Sequence, residues 1–255
     1  MSIARPASRT RSARPTRPPA ALAALLTALI CLFALPTGGT AQAAGAEAPP
    51  TADAFLLRPA ADGDGPGAQL AGGDPVFSSG GATCTVVANL RVGNEPHGLL
   101  PGACTESFPH WYADPGRTVP IGPTTSSRFP THGTFGYENP DIPVEQTPNC
   151  GGAILTSVGD PTVGQVVMRG SRTTGCQSGT VVGVNVTVNF GGGLIVTGLI
   201  QTNLCAEPGD PGGALTAGTT LVGIPVGGSG NCSSGGTSYY QPVAPVLNEL
   251  GATLI

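Results

Sequence analysis

The chain has 255 residues, only 10% of them charged, with no lysine and a formal net charge of −4. That length accommodates one large all-β domain or two small ones. Five of the eleven arginines lie in the first seventeen positions, so from residue 44 onward six arginines face fifteen acids, and the resulting net charge of −9 repels phosphate backbones and anionic lipids and argues against a nucleic-acid partner.

The first 43 residues read as a secretory signal peptide. A basic start (Arg5 to Arg17) precedes the apolar run AALAALLTALICLFALPTG, and Ala41-Gln42-Ala43 supplies a small-residue cleavage site. The competing reading is a membrane anchor. The run is near the minimum of ~17 residues for a span and leads directly into the cleavage pattern, so export with no lasting anchor is expected. Residues 44–69, rich in Ala, Pro, Gly and Asp, read as a flexible linker or short pro-segment with nothing to bury.

From Leu70 onward short apolar runs are cut by Gly, Ser, Thr, Asn and Pro. Strands are predicted at 85–92, 163–170 and 219–226. In VVGVNVTVNF, Val182, Val184, Val186, Val188 and Phe190 alternate with small or polar residues, which predicts a strand with one buried face. Gly191-Gly192-Gly193 then turns the chain, and LIVTGLI (194–200) reads as the returning strand of a hairpin. One segment has a helical period: Val243, Val246, Leu247 and Leu250, with Pro242 or Pro245 near the first turn and Gly251 as the stop. Many short strands and one terminal helix predict an antiparallel sandwich or barrel.

Cys31 falls inside the signal, leaving Cys84, Cys104, Cys150, Cys176, Cys205 and Cys232. Six cysteines in an exported chain predict three disulfides, with 15 connectivities open on number alone. No Cys-x-x-Cys occurs, and His97, His110 and His132 are not spaced as metal ligands, so neither a metal nor a cofactor is expected.

The stretch CAEPGDPGGAL (205–215) resembles the Gly-Asp-Ser-Gly-Gly nucleophile motif of chymotrypsin-fold serine proteases, with proline where serine stands. NLCAEPGD (203–210), RTTG (172–175), GGSGNCSSGGTSYYQPV (227–243) and LAGGDPVFSS (70–79) narrow the resemblance to the streptogrisin and α-lytic protease group of secreted bacterial peptidases. It covers Leu70 to Ile255 and is densest in the C-terminal third. The resemblance implies two antiparallel six-stranded β-barrels (about 76–145 and 146–240) and a short C-terminal helix (about 242–251). It also implies three bridges: Cys84–Cys104, Cys205–Cys232 and, matched less closely, Cys150–Cys176.

The same resemblance assigns the catalytic slots. LPGAC (100–104) stands where the family has Thr-Ala-Gly-His-Cys, so Ala103 takes the histidine position. FPTHGTFG (129–136) aligns Thr134 with the aspartate, and Pro211 holds the serine position. Serine attack needs an imidazole to take the proton and a carboxylate to orient that imidazole. None of the three residues supplies its part. Pro211 also lacks the N–H that the family's oxyanion hole takes from the serine, leaving Gly209 as the remaining donor. His97 and His110 flank the histidine slot and His132 precedes the aspartate slot by two residues; all three read as solvated loop histidines. Ser229, Ser233 and Ser234 lie in a segment resembling the substrate-binding wall, with no base beside them.

What the resemblance retains is scaffold. Arg169 matches the arginine that pairs with the aspartate at Asp210, and a buried carboxylate needs such a partner. Val226-Gly227-Gly228 corresponds to the strand that grips substrate main chain, although Pro225 and Val226 replace a threonine and a serine there. The expected protein is a secreted, monomeric, catalytically inactive serine protease homologue whose cleft binds peptides, proteins or protease inhibitors. The alternatives are an active serine endopeptidase and a structural or inhibitor-decoy protein.

Overall fold

The computed structural model describes residues 69–255 except Arg172, Thr173, Pro208 and Pro211, and these belong to one unit, Glu47–Ile255. The expected leader and all but the last residue of the expected linker lie outside the described residues.

The first sheet is built from seven N-terminal strands and one from the C-terminus. They are β1 (Pro75–Ser78), β2 (Thr83–Thr85), β3 (Ala88–Val92), β4 (Glu95–Leu100), β5 (His110–Tyr112), β6 (Pro120–Arg128), β7 (His132–Gly136) and β15 (Ala252–Leu254). Their order is β15-β3-β4-β7-β6-β5-β1-β2, antiparallel throughout. Only Val86 and Val87 separate β2, at one end of the order, from β3, which lies beside β15 at the other, so one bent stretch of chain curls the sheet on itself. The fully buried Trp111, Phe135, Ile121 and Leu100 fill its interior. A single turn of helix, α1 (Gly102–Thr105), follows β4.

The second sheet comprises β8 (Ser157–Val158), β9 (Val166–Ser171), β10 (Gly175–Asn189), β11 (Ile195–Thr202), β12 (Leu215–Ala217), β13 (Thr220–Asn231) and β14 (Gly235–Pro242). Its order is β12-β9-β10-β11-β14-β13-β8, and the further pairing of β12 with β13 closes six of these strands into a ring. Val167, Val181, Ile200, Leu204, Leu215, Val222 and Tyr240 form its core. The parallel β8–β13 contact is an appendage to the ring.

A third apolar cluster joins the two sheets. Val87, Ala88, Leu90 and Leu99 of the first sheet meet Leu155, Leu221 and Ile224, and the helix α2 (Val243–Leu250) adds Val243, Val246 and Leu247. The predicted helix therefore forms at its predicted place and packs across the seam. Pro242 stands at its N-cap position. Gly251, at φ 60°, ends it with its N–H turned back to the Leu247 and Asn248 carbonyls, a left-handed stop that suits glycine. The chain then returns to the first sheet as β15, which the sequence pattern did not indicate.

Asn89 anchors the start of the described chain. Fully buried, it donates from Nδ2 to the Leu70 and Glu145 carbonyls at 2.8 and 2.9 Å. It also accepts from the Tyr137 hydroxyl at 2.8 Å.

The alternating strand departs from expectation. Val182 and Val184 are exposed, at 46% and 43%, whereas Val181 is buried and Val186 and Val188 are half-buried. Asn185, at φ 55°, lies within a register shift against β11. One extra residue in the left-handed region rotates the strand and exchanges its faces, so period two holds on each side of Asn185 but not across it.

Asp114 organises the turn before β6. Its carboxylate accepts from the Thr118 and Val119 amides at 2.8 and 2.7 Å and from the Thr118 hydroxyl at 2.9 Å. Burial alone pushes the carboxyl up, but these donors together outweigh it and hold the group below its usual range. The group thus stabilises the fold above the carboxylate's ordinary range and loses that contribution as pH falls through its lowered native value. Asp114→Ala should cost about 2 kcal/mol in urea unfolding at pH 7, and the difference from wild type should shrink on acidification below pH 4.

Candidate active-site cleft

The three slots lie on different elements. Ala103 is the second residue of α1 and is exposed, beside Cys104, which is bonded to Cys84. Thr134 lies on β7, buried, opposite Leu99 of β4 and Ser126 of β6. Its hydroxyl is 2.9 Å from that of Thr125, so the slot that the family resemblance assigns to a carboxylate holds a neutral hydroxyl pair. Pro211 lies outside the described residues.

The packing brings these elements toward the seam. α1 rests on β6 and β7: a Cβ on Gly133 would lie 2.0 Å from the Thr105 hydroxyl oxygen. Leu99, the register partner of Thr134, belongs to the seam cluster, and Ala214 at the end of the loop after β11 packs against the same cluster.

The described residues of that loop, 203–214, have no regular structure and are held by side chains. The Asp210 side chain is fully buried, and its Oδ2 receives Arg169 Nη2 at 3.0 Å. Oδ1 accepts from the Ser171 hydroxyl and from the Gly212 amide at 2.9 Å, while the Thr174 hydroxyl lies 3.3 Å from Oδ2. Arg169 also donates to Thr174 Oγ1 at 2.9 Å and to Gln177 Oε1 at 3.2 Å. Burial pushes the neighbouring Tyr240 phenol up, with the Arg169 charge acting in the opposite direction. Removing one member of a buried pair costs about 3–5 kcal/mol, because the other charge is stranded.

Glycine is required where the backbone closes on itself. A Cβ on Gly213 would lie 2.0 Å from the Gly170 carbonyl oxygen, so the loop end sits directly on β9. Gly209 and Gly212 have φ of 81° and 64°, which favour glycine. A Cβ on Gly212 would also meet the Pro225 ring at 2.9 Å.

All three expected disulfides form. Cys205–Cys232 joins the loop to the tip of the β13–β14 hairpin, and Gln177 Nε2 approaches its sulfurs at 3.0 and 3.4 Å. Cys150–Cys176 secures the start of β10. On β13, Val226 is the extra residue between the Pro225–Tyr240 and Gly227–Tyr239 pairs. β8 and β12 cover the other edge of β13 only at 220–223. Gly227 to Gly230 therefore pair with β14 alone and are exposed. Phe190 and Tyr239 meet edge-on at 5.9 Å beside Gly227.

The serines and histidines of the region take structural places. Ser233 and Ser234 both donate to Asn231 Oδ1, at 2.7 and 2.8 Å. His132 is not a solvated loop residue as expected: it is 3% exposed at the start of β7, because the sheet turns it inward. Among the described residues no three His, Cys, Asp or Glu side chains gather as a metal site. Sequence reasoning missed Thr125, Ser171 and Gln177. Thr174 lies in the quoted RTTG stretch, but its bond to Asp210 depends on how β9 and β10 face the loop.

No family model matches the chain. Streptogrisin-A of Streptomyces griseus is 42% identical over 190 residues, 73% of this chain and 61% of the relative. Serine protease 2 of Streptomyces fradiae is 43% identical over 174 residues, 66% of this chain and 100% of the relative. Among solved structures, alpha-lytic protease homolog N4 matches with a TM-score of 0.63 and 37% identity, over 73% of this chain and all of that one. The chain spans 61% of the length of streptogrisin-A and 48% of that of streptogrisin-D of Streptomyces griseus. A relative matched along its whole length, together with this two-sheet fold, places the protein: it belongs to the streptogrisin-type serine protease family of chymotrypsin fold.

Proposed function

We propose that this protein is a secreted, catalytically inert member of its family that uses the cleft for binding. One observation carries the reading: Ala103, Thr134 and Pro211 stand in the histidine, aspartate and serine slots. Alanine cannot take a proton, threonine cannot stabilise an imidazolium, and proline offers neither a nucleophile nor an N–H for an oxyanion. Loss of a serine nucleophile alone lowers turnover by about a millionfold. The substitutions leave the Arg169–Asp210 pair and the disulfides, which hold the scaffold without taking part in chemistry. Three disulfides suit an oxidising compartment outside the cell.

The exposed Gly227–Gly230 edge supports peptide binding. A strand paired on one side presents main-chain N–H and C=O groups to an extended peptide. Suitable partners are peptides, extended protein segments or the loops of protease inhibitors, and the net negative charge disfavours nucleic acid.

Purified protein should neither hydrolyse chromogenic peptides nor take up a fluorophosphonate probe. Specific labelling of this chain, or hydrolysis copurifying with it through several columns, would establish an active endopeptidase instead. Ala103→His, Thr134→Asp and Pro211→Ser combined should give measurable hydrolysis, since exposed Ala103 leaves room for an imidazole. A folded but inert triple variant would show that the cleft itself has changed, with Pro225 against Gly212 the first place to look.

A further inference from the structure

His132 begins β7 with its ring buried, and its two nitrogens meet different surroundings. The Thr131 hydroxyl has a single hydrogen, which it donates to the Arg128 carbonyl at 3.1 Å. With that hydrogen committed, Thr131 Oγ1 is free to accept from His132 Nδ1 at 3.1 Å, and the imidazole proton is assigned to Nδ1 on this bonding pattern. Nε2 is then the bare nitrogen. It is buried and has no hydrogen-bond partner among the described residues.

Two charged groups face this ring. Arg128 lies opposite it on β6, and Glu249 reaches it from α2 while paired to Arg128 at 3.2 Å. α1 brings no free titratable group, since Cys104 is in a disulfide; Glu106, just beyond, is exposed. Burial dominates and holds the imidazole below its usual range; Glu249 opposes this and Arg128 reinforces it. Glu249 and Arg128 are both exposed and bound to each other, so solvent screens the carboxylate's attraction for the ring.

The corner around His132 bears on two neighbouring elements. A Cβ on Gly102 would lie 2.6 Å from the Arg128 carbonyl oxygen, the Pro130 carbonyl carbon and the Thr131 nitrogen, so α1 rests on the corner's backbone. The Arg128–Glu249 pair connects the same corner to α2.

We propose that His132 is an acid-sensitive latch: a proton added at Nε2 makes a buried N–H without an acceptor, and the ring leaves its seat. The corner from Arg128 to Gly133 is then released from α1 and α2. Ala103 rides on α1, so the release reaches the candidate cleft. The unfolded chain binds this proton near pH 6.5 and the native chain only at lower pH, so stability falls as pH drops below about 6.5.

Urea unfolding of wild type and His132→Gln from pH 7.5 to 4.5 tests this. The wild-type unfolding constant should rise relative to that of His132→Gln by up to about tenfold per pH unit below 6.5, since glutamine does not titrate. Parallel profiles would overturn the latch. If His132→Gln does not fold, nuclear magnetic resonance of the wild type decides. Ring protonation of native His132 below pH 6.5, with concurrent loss of amide protection at Gly102–Thr105 and Arg128–Gly133, supports the latch. Protonation at or above pH 6.5, or without that loss, overturns it.

Discussion

The buried ion pair between Arg169 and Asp210 is the constraint on which the cleft depends. The loop between β11 and β12 has no ladder of its own, so its shape comes from bonds that converge on one carboxylate. Arg169, Ser171, Thr174 and the Gly212 amide all point to Asp210. Arg169 in turn sits on β9 opposite Leu215, the first residue of β12. The pair therefore fixes where the loop rejoins the sheet, and β12 is also the strand that closes the ring against β13.

Gln177 extends the arrangement outward. Its amide oxygen accepts from Arg169 and its amide nitrogen approaches both sulfurs of Cys205–Cys232. Ion pair, glutamine and disulfide thus form one connected path from the buried carboxylate to the exposed hairpin tip. At its buried end Arg169 and Asp210 neutralise each other, so either is costly to remove singly. None of them is a triad residue. The side chains that hold this loop are thus separate from the three slots that the family resemblance assigns.

The seam shows a similar division. Apolar groups from both sheets and α2 meet there. Thr134 sits one strand away, with its hydroxyl bonded to Thr125. A neutral hydroxyl pair needs no charged partner, so Thr134 is satisfied where it lies.

Much of the second sheet was legible from residue order, because its strands are long, β-branched and bounded by glycine, as the 182–200 hairpin and α2 with its Gly251 stop illustrate. The first sheet was less so: β5 is HWY and β6 is PIGPTTSSR, short or polar segments that become strands only because Trp111, Ile121 and Phe135 share one interior. Motif resemblance supplied the slots at 103, 134 and 211, the disulfide pairing and the Arg169–Asp210 partnership. Sequence by itself determined which chemical groups each slot holds, since composition at a position needs no folding. Only the tertiary structure decided that Val182 and Val184 face outward, that His132 is buried with Nε2 unpartnered among the described residues, and that Thr125, Ser171 and Gln177 complete the site. Those facts depend on a strand bulge, a corner and contacts between residues distant in the chain, none of which leaves a local pattern.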